Sequence, residues 1–560
     1  MKNINRRSFI SYLAAAMVTP YVVTYSSGRA NASLVPPGAP LLLDSERVFP
    51  QSIASGDPTP SGVILWTRIA PSAYIATENL IVQVASDAQF TQLVFESFVP
   101  AAEISEASDY TVKLDLDTHL QAYKRYYYRF IYANTVSRTG RCRTAPPYGA
   151  DVNGLKLALL TCQDYTNGYY GALDYVAKDD TIDYVLHLGD FIYESAGDPR
   201  FQSLPFADRM IQLPSDGIVA MDLTDYRHLY RTYRSDPNLQ RALESHTFIM
   251  TRDDHETAND AYWDYQRDTL GAPDHPYTVD AQYGNDPLKL SQLMLDSQQA
   301  WAEYVPIRVQ VNEGATHPHQ FLKHYRRVQL GNLIDLFMLD TRTYRSAHAC
   351  GEKDFFGRYF PLGCSAWKDD DQTLMGGEQR DWLFNGLSQS KARWKVLGNQ
   401  TYMGSLGLQV GKNKIPFNVD AWDGFDYERI EMAKQVREHR VENFVVLTGD
   451  LHTFMASHVK VDYLNRSIFN YDNFIGVEFM TPSVTSAGLF DMLKLQTPKG
   501  AVQWLAQGLT NAAVRLTNPH VRYFNTVQNG YSTIEFRDNY CEWKAWAINK
   551  NINSNTQKAT

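Results

Sequence analysis

Past its first 32 residues the chain has no run of about 20 apolar residues, so no membrane-spanning helix is expected. Nor is there an excess of cations. Lys and Arg number 53 against 62 Asp and Glu, a net charge of −9. Specific nucleic acid binding is not expected of so acidic a chain, because the sequence-independent part of that affinity needs a basic surface. No segment repeats another, which excludes a solenoid or propeller array. Cysteine is scarce, five in 560 residues: Cys142, Cys162, Cys350, Cys364 and Cys541. Cys350 and Cys364 bracket CGEKDFFGRYFPLGC, a natural disulfide in an oxidising compartment. Cys142 and Cys541 lie far apart, and the sequence leaves their pairing open. Cys162 ends the apolar run LKLALLTC, at the end of a buried strand.

Hydrophobic residues make up 44%, enough for large cores, and 35 tyrosines fit β-rich structure with polar, hydrogen-bonded interiors. A chain this long is expected to hold more than one domain. Residues 1–32, MKNINRRSFISYLAAAMVTPYVVTYSSGRANA, combine a basic start, an apolar stretch and an Ala30-Asn31-Ala32 cleavage pattern. Arg6-Arg7 followed by Ser8, Phe9 and Ile10 makes this a twin-arginine signal. The expected partner is the twin-arginine export machinery, and the expected location periplasmic or extracellular. That route carries proteins already folded, often with a cofactor loaded, and is a first hint of a metal. Losing Lys2, Arg6, Arg7 and Arg29 takes four cations from −9 and leaves −13.

From about Phe49 the texture is all-β. SGVILWTRIA, NLIVQVASD, DYTVKLDLD and YKRYYYRFIYAN are short, β-branched and aromatic, with polar turns between them. DYTVKLDLD alternates as a half-buried antiparallel strand should. A small all-β sandwich is predicted over 45–148, ending at the linker TAPPYGADVNG. From Leu155 buried runs alternate with helical stretches such as FDYERIEMAKQVREHRVE, the pattern of a layered α/β domain over 152–550. YSTIEFRDNYCEWKAWAIN adds two strands to one of its sheets. A polar tail, 551–560, completes the chain.

The buried runs end alike. LKLALLTC stops at Cys162, and TIDYVLHLGD at Gly189-Asp190 with Tyr193 just beyond. HTFIMTRDDHE stops at Asp253-Asp254-His255-Glu256, LIDLFMLDTR at Asp340 and Arg342, RWKVLGNQ at Asn399-Gln400, and NFVVLTGDLH at Gly449-Asp450 and His452. The carboxyl ends of strands line the ligand crevice of an α/β sheet. Thiol, carboxylate, phenol, imidazole and amide groups meeting on one rim call for a cation to hold them together. In the two Gly-Asp pairs the glycine is expected to let the chain turn sharply and a metal or phosphate approach. His187 is expected to be only a sheet histidine.

This order of motifs resembles the calcineurin-like metallophosphoesterases, and more closely their PhoD-like branch of alkaline phosphatases and phosphodiesterases. The resemblance runs from FPQSIASGDPTPSGVILWTRIAP through TCQD, HLGDFIYE, RDDHE, MLDTRTYRS, VLGNQ, TGDLHTFMAS and VEFMTPSVTS, most of the chain. It implies a catalytic domain of two mixed sheets flanked by helices, preceded by the small sandwich. It implies that Cys162, Asp190, Tyr193 and His452 hold Fe(3+), thiolate and phenolate favouring the ferric state. Asp190 would bridge to Ca(2+), held also by Asp254 and Asp450, with Asn399 or Gln400 in the intervening ligand segment; oxygen donors suit that hard cation. His255 stands where the superfamily has its leaving-group histidine. Arg342 and Arg345 are placed to hold phosphate oxygens, or in the case of Arg342 to brace Asp340 or another acidic loop. His255, Arg342 and Asn399 are the candidate catalytic residues.

The function implied is hydrolysis of small phosphate mono- and diesters by metal-activated water, at alkaline pH, for phosphate acquisition. Two alternatives stand beside it. One is a phospholipase D-like phosphodiesterase using the same site, with the insertion between Ala258 and Phe321 and the segment SAGLFDMLKLQTPKGAVQWLAQGL shaping access. The other is a non-catalytic envelope module that keeps a structural metal.

Overall fold

The computed structural model describes residues 34–35, 40–199, 201–202, 206–312, 315, 317–353, 357–410, 413–488, 491 and 500–553. The signal segment, residues 554–560 of the tail and most of SAGLFDMLKLQTPKG lie outside them. Among the described residues no helix is long and apolar enough to cross a membrane.

Two large mixed sheets face one another. The first has eight strands: Cys541–Ile548, Asn529–Arg537, Gly154–Leu160, Tyr184–His187, Thr247–Met250, Ile53–Thr59, Gly62–Arg68 and Thr111–Asp115, in that spatial order. The second has seven: Arg326–Leu330, Ile334–Met338, Trp394–Gly398, Phe444–Thr448, Phe474–Met480, Phe454–Lys460 and Val521–Asn525. Pairing is parallel among the central strands of each and antiparallel towards the edges. This is the layered α/β architecture that the alternating buried runs and helices predicted. Leu157, Leu159 and Leu186 face Leu336, Val396 and Val445 of the other sheet, while Ala158, Leu160 and Val185 face the outer helices. Burial on both faces explains why these strands are continuous apolar runs rather than alternating ones. The two C-terminal strands join the first sheet through Gly154–Leu160.

The N-terminal strands form two layers over one core, with Val63, Leu65, Val82, Val84, Tyr128 and Phe130 among its members. The outer layer is a five-stranded sheet. The inner layer, Ile53–Thr59 with Gly62–Arg68 and Thr111–Asp115, continues the eight-stranded sheet through a parallel pairing of Ser55 with Thr247 and Gly56 with Phe248. DYTVKLDLD is therefore not half-exposed. Its Lys113 is buried beneath helix Pro287–Tyr304 and donates from Nζ to the carbonyl of Ala302 at 2.5 Å. That helix, the longest in the insertion after Ala258, braces the N-terminal strands: Trp66 Nε1 donates to Glu303 O at 2.7 Å. Cys350 and Cys364 form the expected disulfide, whereas Cys142 and Cys541 are both free.

Candidate active site

The parallel strands of both sheets deliver their carboxyl ends to one rim. Cys162 N donates to Gly189 O at 3.2 Å and Gln163 N to Asp190 O at 3.1 Å, lacing the first two loops together. Glu256, fully buried, binds the next: its carboxylate accepts from the backbone N–H of Asp190, Phe191 and Asp253 at 3.0, 2.7 and 2.8 Å. The two glycines serve the packing of loop against loop. A Cβ on Gly189 would lie 2.4 Å from that of Asp253, and one on Gly449 would lie 2.5 Å from Thr161 Oγ1. Gly189, at φ 109°, also makes the sharp turn expected of it. Cys162, Asp190, Asp450 and His452 all adopt left-handed backbone conformations, with φ of 53°, 55°, 64° and 51°. Such strain persists only where the surroundings over-determine it, and it clusters at functional sites.

Three overlapping groups of donor atoms, each within 4.8 Å, result: Cys162–Asp190–His452, Asp190–Asp254–His255 and Asp253–Asp254–Asp450. Tyr193 joins the first through its phenol, 3.1 Å from Asp190 Oδ2 and 3.3 Å from His452 Nε2. His452 Nδ1 is 2.5 Å from Ala487 O, which fixes the ring. The loop behind it is clamped by half-buried Lys550, whose Nζ donates to Thr485 O at 2.8 Å and Ser486 O at 3.3 Å.

The electrostatics call for positive charge. Burial pushes Asp190 and Asp253 well above the usual carboxylate range, and brings Asp450 up to about 7. The Cys162 thiol is raised by burial and by Asp190 beside it. Burial alone would raise Asp254 too, but Arg342 and His255 bring it below its ordinary value. His452, by contrast, is pulled down to about 4 by burial, so it stays neutral and able to donate a lone pair. Asp190 Oδ1, Asp253 Oδ2 and Asp254 Oδ1 are buried and accept no hydrogen bond. Three such oxygens in one cluster of five acidic or thiol groups fit divalent and trivalent cations.

Arg342 stands on the acidic side. Its guanidinium reaches Asp253 at 2.5 Å, Asp420 at 2.5 Å, Asp450 at 3.0 Å and Asp254 at 3.4 Å. It braces the acidic loops and does not line the large cavity, and only its backbone N–H touches Asp340. Arg345 is likewise spent on Asp420. Asn399 lies outside the cavity as well: its Nδ2 donates to Thr401 O, and its Oδ1 accepts from the Trp422 indole. Gln400 holds Thr341 and the carbonyls of Arg252 and Leu339. Both amides knit strand ends together. His187 is buried within the sheet against Phe191 and held neutral by burial, down to about 3.

His255 does face the cavity. Its Nδ1 lies 2.7 Å from Glu194 Oε2, and its ring packs on that of Tyr193, tilted by 31° with centroids 4.0 Å apart. Burial works against its protonated form, yet Glu194, Asp254 and Asp190 raise its pKa well above the ordinary value. Glu194 went unremarked in the sequence, although it follows Tyr193 directly in HLGDFIYES. Asp420 carried no signal at all; it sits outside every strand-end motif. The cavity over this floor measures about 460 Å³. Asp190, Asp254, Asp450 and His452 form its base; Phe201, Phe360, Leu406, Phe417 and Phe524 form apolar walls. Of the insertion after Ala258, Asn259 and Asp260 reach it, and from helix Gly500–Thr517 so do Thr510, Ala513 and Val514.

A model of the PhoD-like phosphatase family matches residues 157–545, and one of its N-terminal domain matches residues 42–146. The chain belongs to the PhoD-like phosphatase family. It is 31% identical over 503 residues to alkaline phosphatase D of Bacillus subtilis (strain 168), spanning 89% of this chain and 76% of that protein. A solved structure of PhoD superposes with a TM-score of 0.75 at 27% identity, covering 93% of this chain and 89% of that one. This PhoD-like phosphatase is a metal-dependent phosphoric ester hydrolase of the calcineurin-like metallophosphoesterase superfamily, and the donor groups on its strand-end rim are where a metal fits.

Proposed function

We propose that the chain is an exported alkaline phosphatase and phosphodiesterase that hydrolyses small phosphate mono- and diesters for phosphate acquisition. Cys162, Asp190, Tyr193 and His452 would hold Fe(3+), and Asp190, Asp254 and Asp450 would hold Ca(2+). The observation that carries this reading is a set of buried carboxylate oxygens on Asp190, Asp253 and Asp254 that accept no hydrogen bond, in donor groups that reach the cavity floor through Asp190, Asp254 and Asp450, next to a thiol, a phenol and a neutral imidazole. When bound, such cations neutralise phosphate oxygens and supply a water acidic enough to ionise near neutral pH. His255, charged through Glu194, keeps a proton to give from Nε2 to the departing oxygen, because Nδ1 is already engaged. Arg342 holds Asp253, Asp254, Asp420 and Asp450 in place against mutual repulsion. Export rests on the Arg6-Arg7 signal and its cleavage pattern.

The test is hydrolysis of a chromogenic phosphodiester. Activity lost on calcium chelation, restored by calcium and abolished in Asp450→Asn supports the reading. Undiminished turnover by chelated, metal-free protein contradicts it.

A further inference from the structure

His348 is buried, and carboxylates hold both of its ring nitrogens. Nε2 lies 2.8 Å from Asp420 Oδ1, and Nδ1 lies 2.8 Å from Glu352 Oε2. A neutral imidazole has one N–H and one lone pair, so in either tautomer one of these carboxylates would face a lone pair. Two such contacts require a proton on each nitrogen, which makes the ring a cation. Two further groups face it: Arg345, which shares Asp420 Oδ1, and Tyr262, whose ring stands edge-on at 5.6 Å between centroids. Burial and Arg345 oppose the charge, yet Asp420 and Glu352 outweigh them and raise the pKa above its ordinary 6.5.

This pairing leads to the catalytic rim. Asp420 lines the cavity, and its other oxygen, Oδ2, accepts from Arg342 Nη1 at 2.5 Å. Nη2 of the same guanidinium lies 3.0 Å from Asp450 Oδ1 and 3.4 Å from Asp254 Oδ1. Glu352, His348, Asp420 and Arg342 thus alternate in sign, from a carboxylate 34% exposed to the two acids proposed as calcium ligands. Asp420 divides its attraction among Arg342, Arg345 and His348. Without the imidazolium, Arg342 answers more of that charge, at the expense of Asp254 and Asp450, whose mutual repulsion is then less restrained. A buried ion pair adds little stability over apolar packing of the same volume, so stability alone does not account for these charges. We infer that His348, with Glu352 behind it, is a positioning residue for the catalytic centre: a buried imidazolium that fixes Asp420 and, through it, the guanidinium that spaces Asp254 from Asp450. The charge on the ring stands on geometry, whereas its effect on calcium rests on the proposed metal site.

Two measurements on the full chain test this. In protein labelled with ¹⁵N-histidine and freed of metal by chelation, the His348 ring, assigned by its absence in His348→Gln, should carry a proton on both nitrogens at pH 8. A bare nitrogen in wild type overturns the inference. Calcium titrated calorimetrically into calcium-depleted protein should bind about 10–100-fold more weakly in His348→Gln, and by the same factor at pH 6 and pH 9. Glu352→Gln, at a partly exposed position, keeps the imidazole but lowers its pKa. The ring proton then leaves as pH rises, so the deficit in calcium affinity should widen from pH 6 to pH 9 and reach about tenfold. A Glu352→Gln deficit equal at both pH values is what lost packing alone would give, and it overturns the inference. So does calcium binding unchanged in both variants. Should His348→Gln fail to melt cooperatively, Glu352→Gln carries the test. Wild type that binds no calcium contradicts the proposed metal site instead, and the two ring protons still decide the pairing.

Discussion

Replacing Glu256 by Gln is the sharpest perturbation of the loops that carry the site. The carboxylate is buried and accepts three backbone N–H groups, those of Asp190 and Asp253 on Oε2 and that of Phe191 on Oε1. Glutamine keeps one oxygen and turns the other into a donor. Oriented to serve Asp190 and Asp253, it leaves the Phe191 N–H facing an NH₂ group. A buried donor left unsatisfied costs about 1–3 kcal/mol, and the two surviving bonds lose their charge assistance, about 1 kcal/mol each. The total, about 3–5 kcal/mol, falls on the two turns that place Asp190 and Asp253. Outer supports of metal ligands typically change metal affinity by about 10–100-fold when removed. The assay is a calcium titration of phosphodiester hydrolysis, with a thermal melt alongside. Glu256→Gln should need about 10–100-fold more calcium for half-maximal rate and recover most of the rate at saturation. A variant that titrates and melts like wild type would refute the view that Glu256 sets the geometry of these loops.

Other outcomes follow from the same structure. Substituting His255 by Asn should lower kcat by about 10²–10⁴-fold for an alkyl phosphodiester, whose leaving group needs a proton, and far less for a p-nitrophenyl ester. Equal losses on both would deny it the role of acid. With Glu194→Gln the imidazole loses its main support, so the alkaline limb of the rate profile should move to lower pH; an unmoved limb counts against the pairing. Lys113 is brought by burial from 10.5 down to about 7. Below that pH both folded and unfolded chains hold its proton, and between about 7 and 10.5 only the unfolded chain does, so its burial penalty fades as pH rises. Melting temperature should therefore climb from pH 7 to about pH 9 in wild type relative to Lys113→Met, and parallel curves would reject this.

The strand ends were legible because the signal is local: an apolar run of fixed length that stops on a donor residue, in Gly449-Asp450 as in Cys162. The disulfide was legible from the short loop that it closes. What stayed hidden was contact between distant segments. Arg342 and Asp420 lie 78 residues apart and meet only once the loop after strand Ile334–Met338 and the loop before Trp422 converge, so nothing near either one marks the pair. The parallel pairing of Ser55 with Thr247 leaves no trace in composition, and so the N-terminal strands looked separate from the catalytic sheet. The alternation in DYTVKLDLD suggested a solvent face because helix Pro287–Tyr304, which covers Lys113, arrives from an insertion far along the chain. Asn399 and Gln400 end a strand as Cys162 and Asp450 do, yet their amides are consumed by neighbouring carbonyls, a distinction set by side-chain geometry rather than by position.

The most direct measurement joins metal analysis to the visible spectrum of protein purified without added metals. A phenolate on ferric iron absorbs visible light, so wild type should be coloured and contain iron and calcium. Tyr193→Phe, which removes one oxygen and preserves the ring, should lose that band while remaining folded. Metal-replete wild type without colour, or an absorption band untouched by Tyr193→Phe, would contradict the assignment on which the account depends.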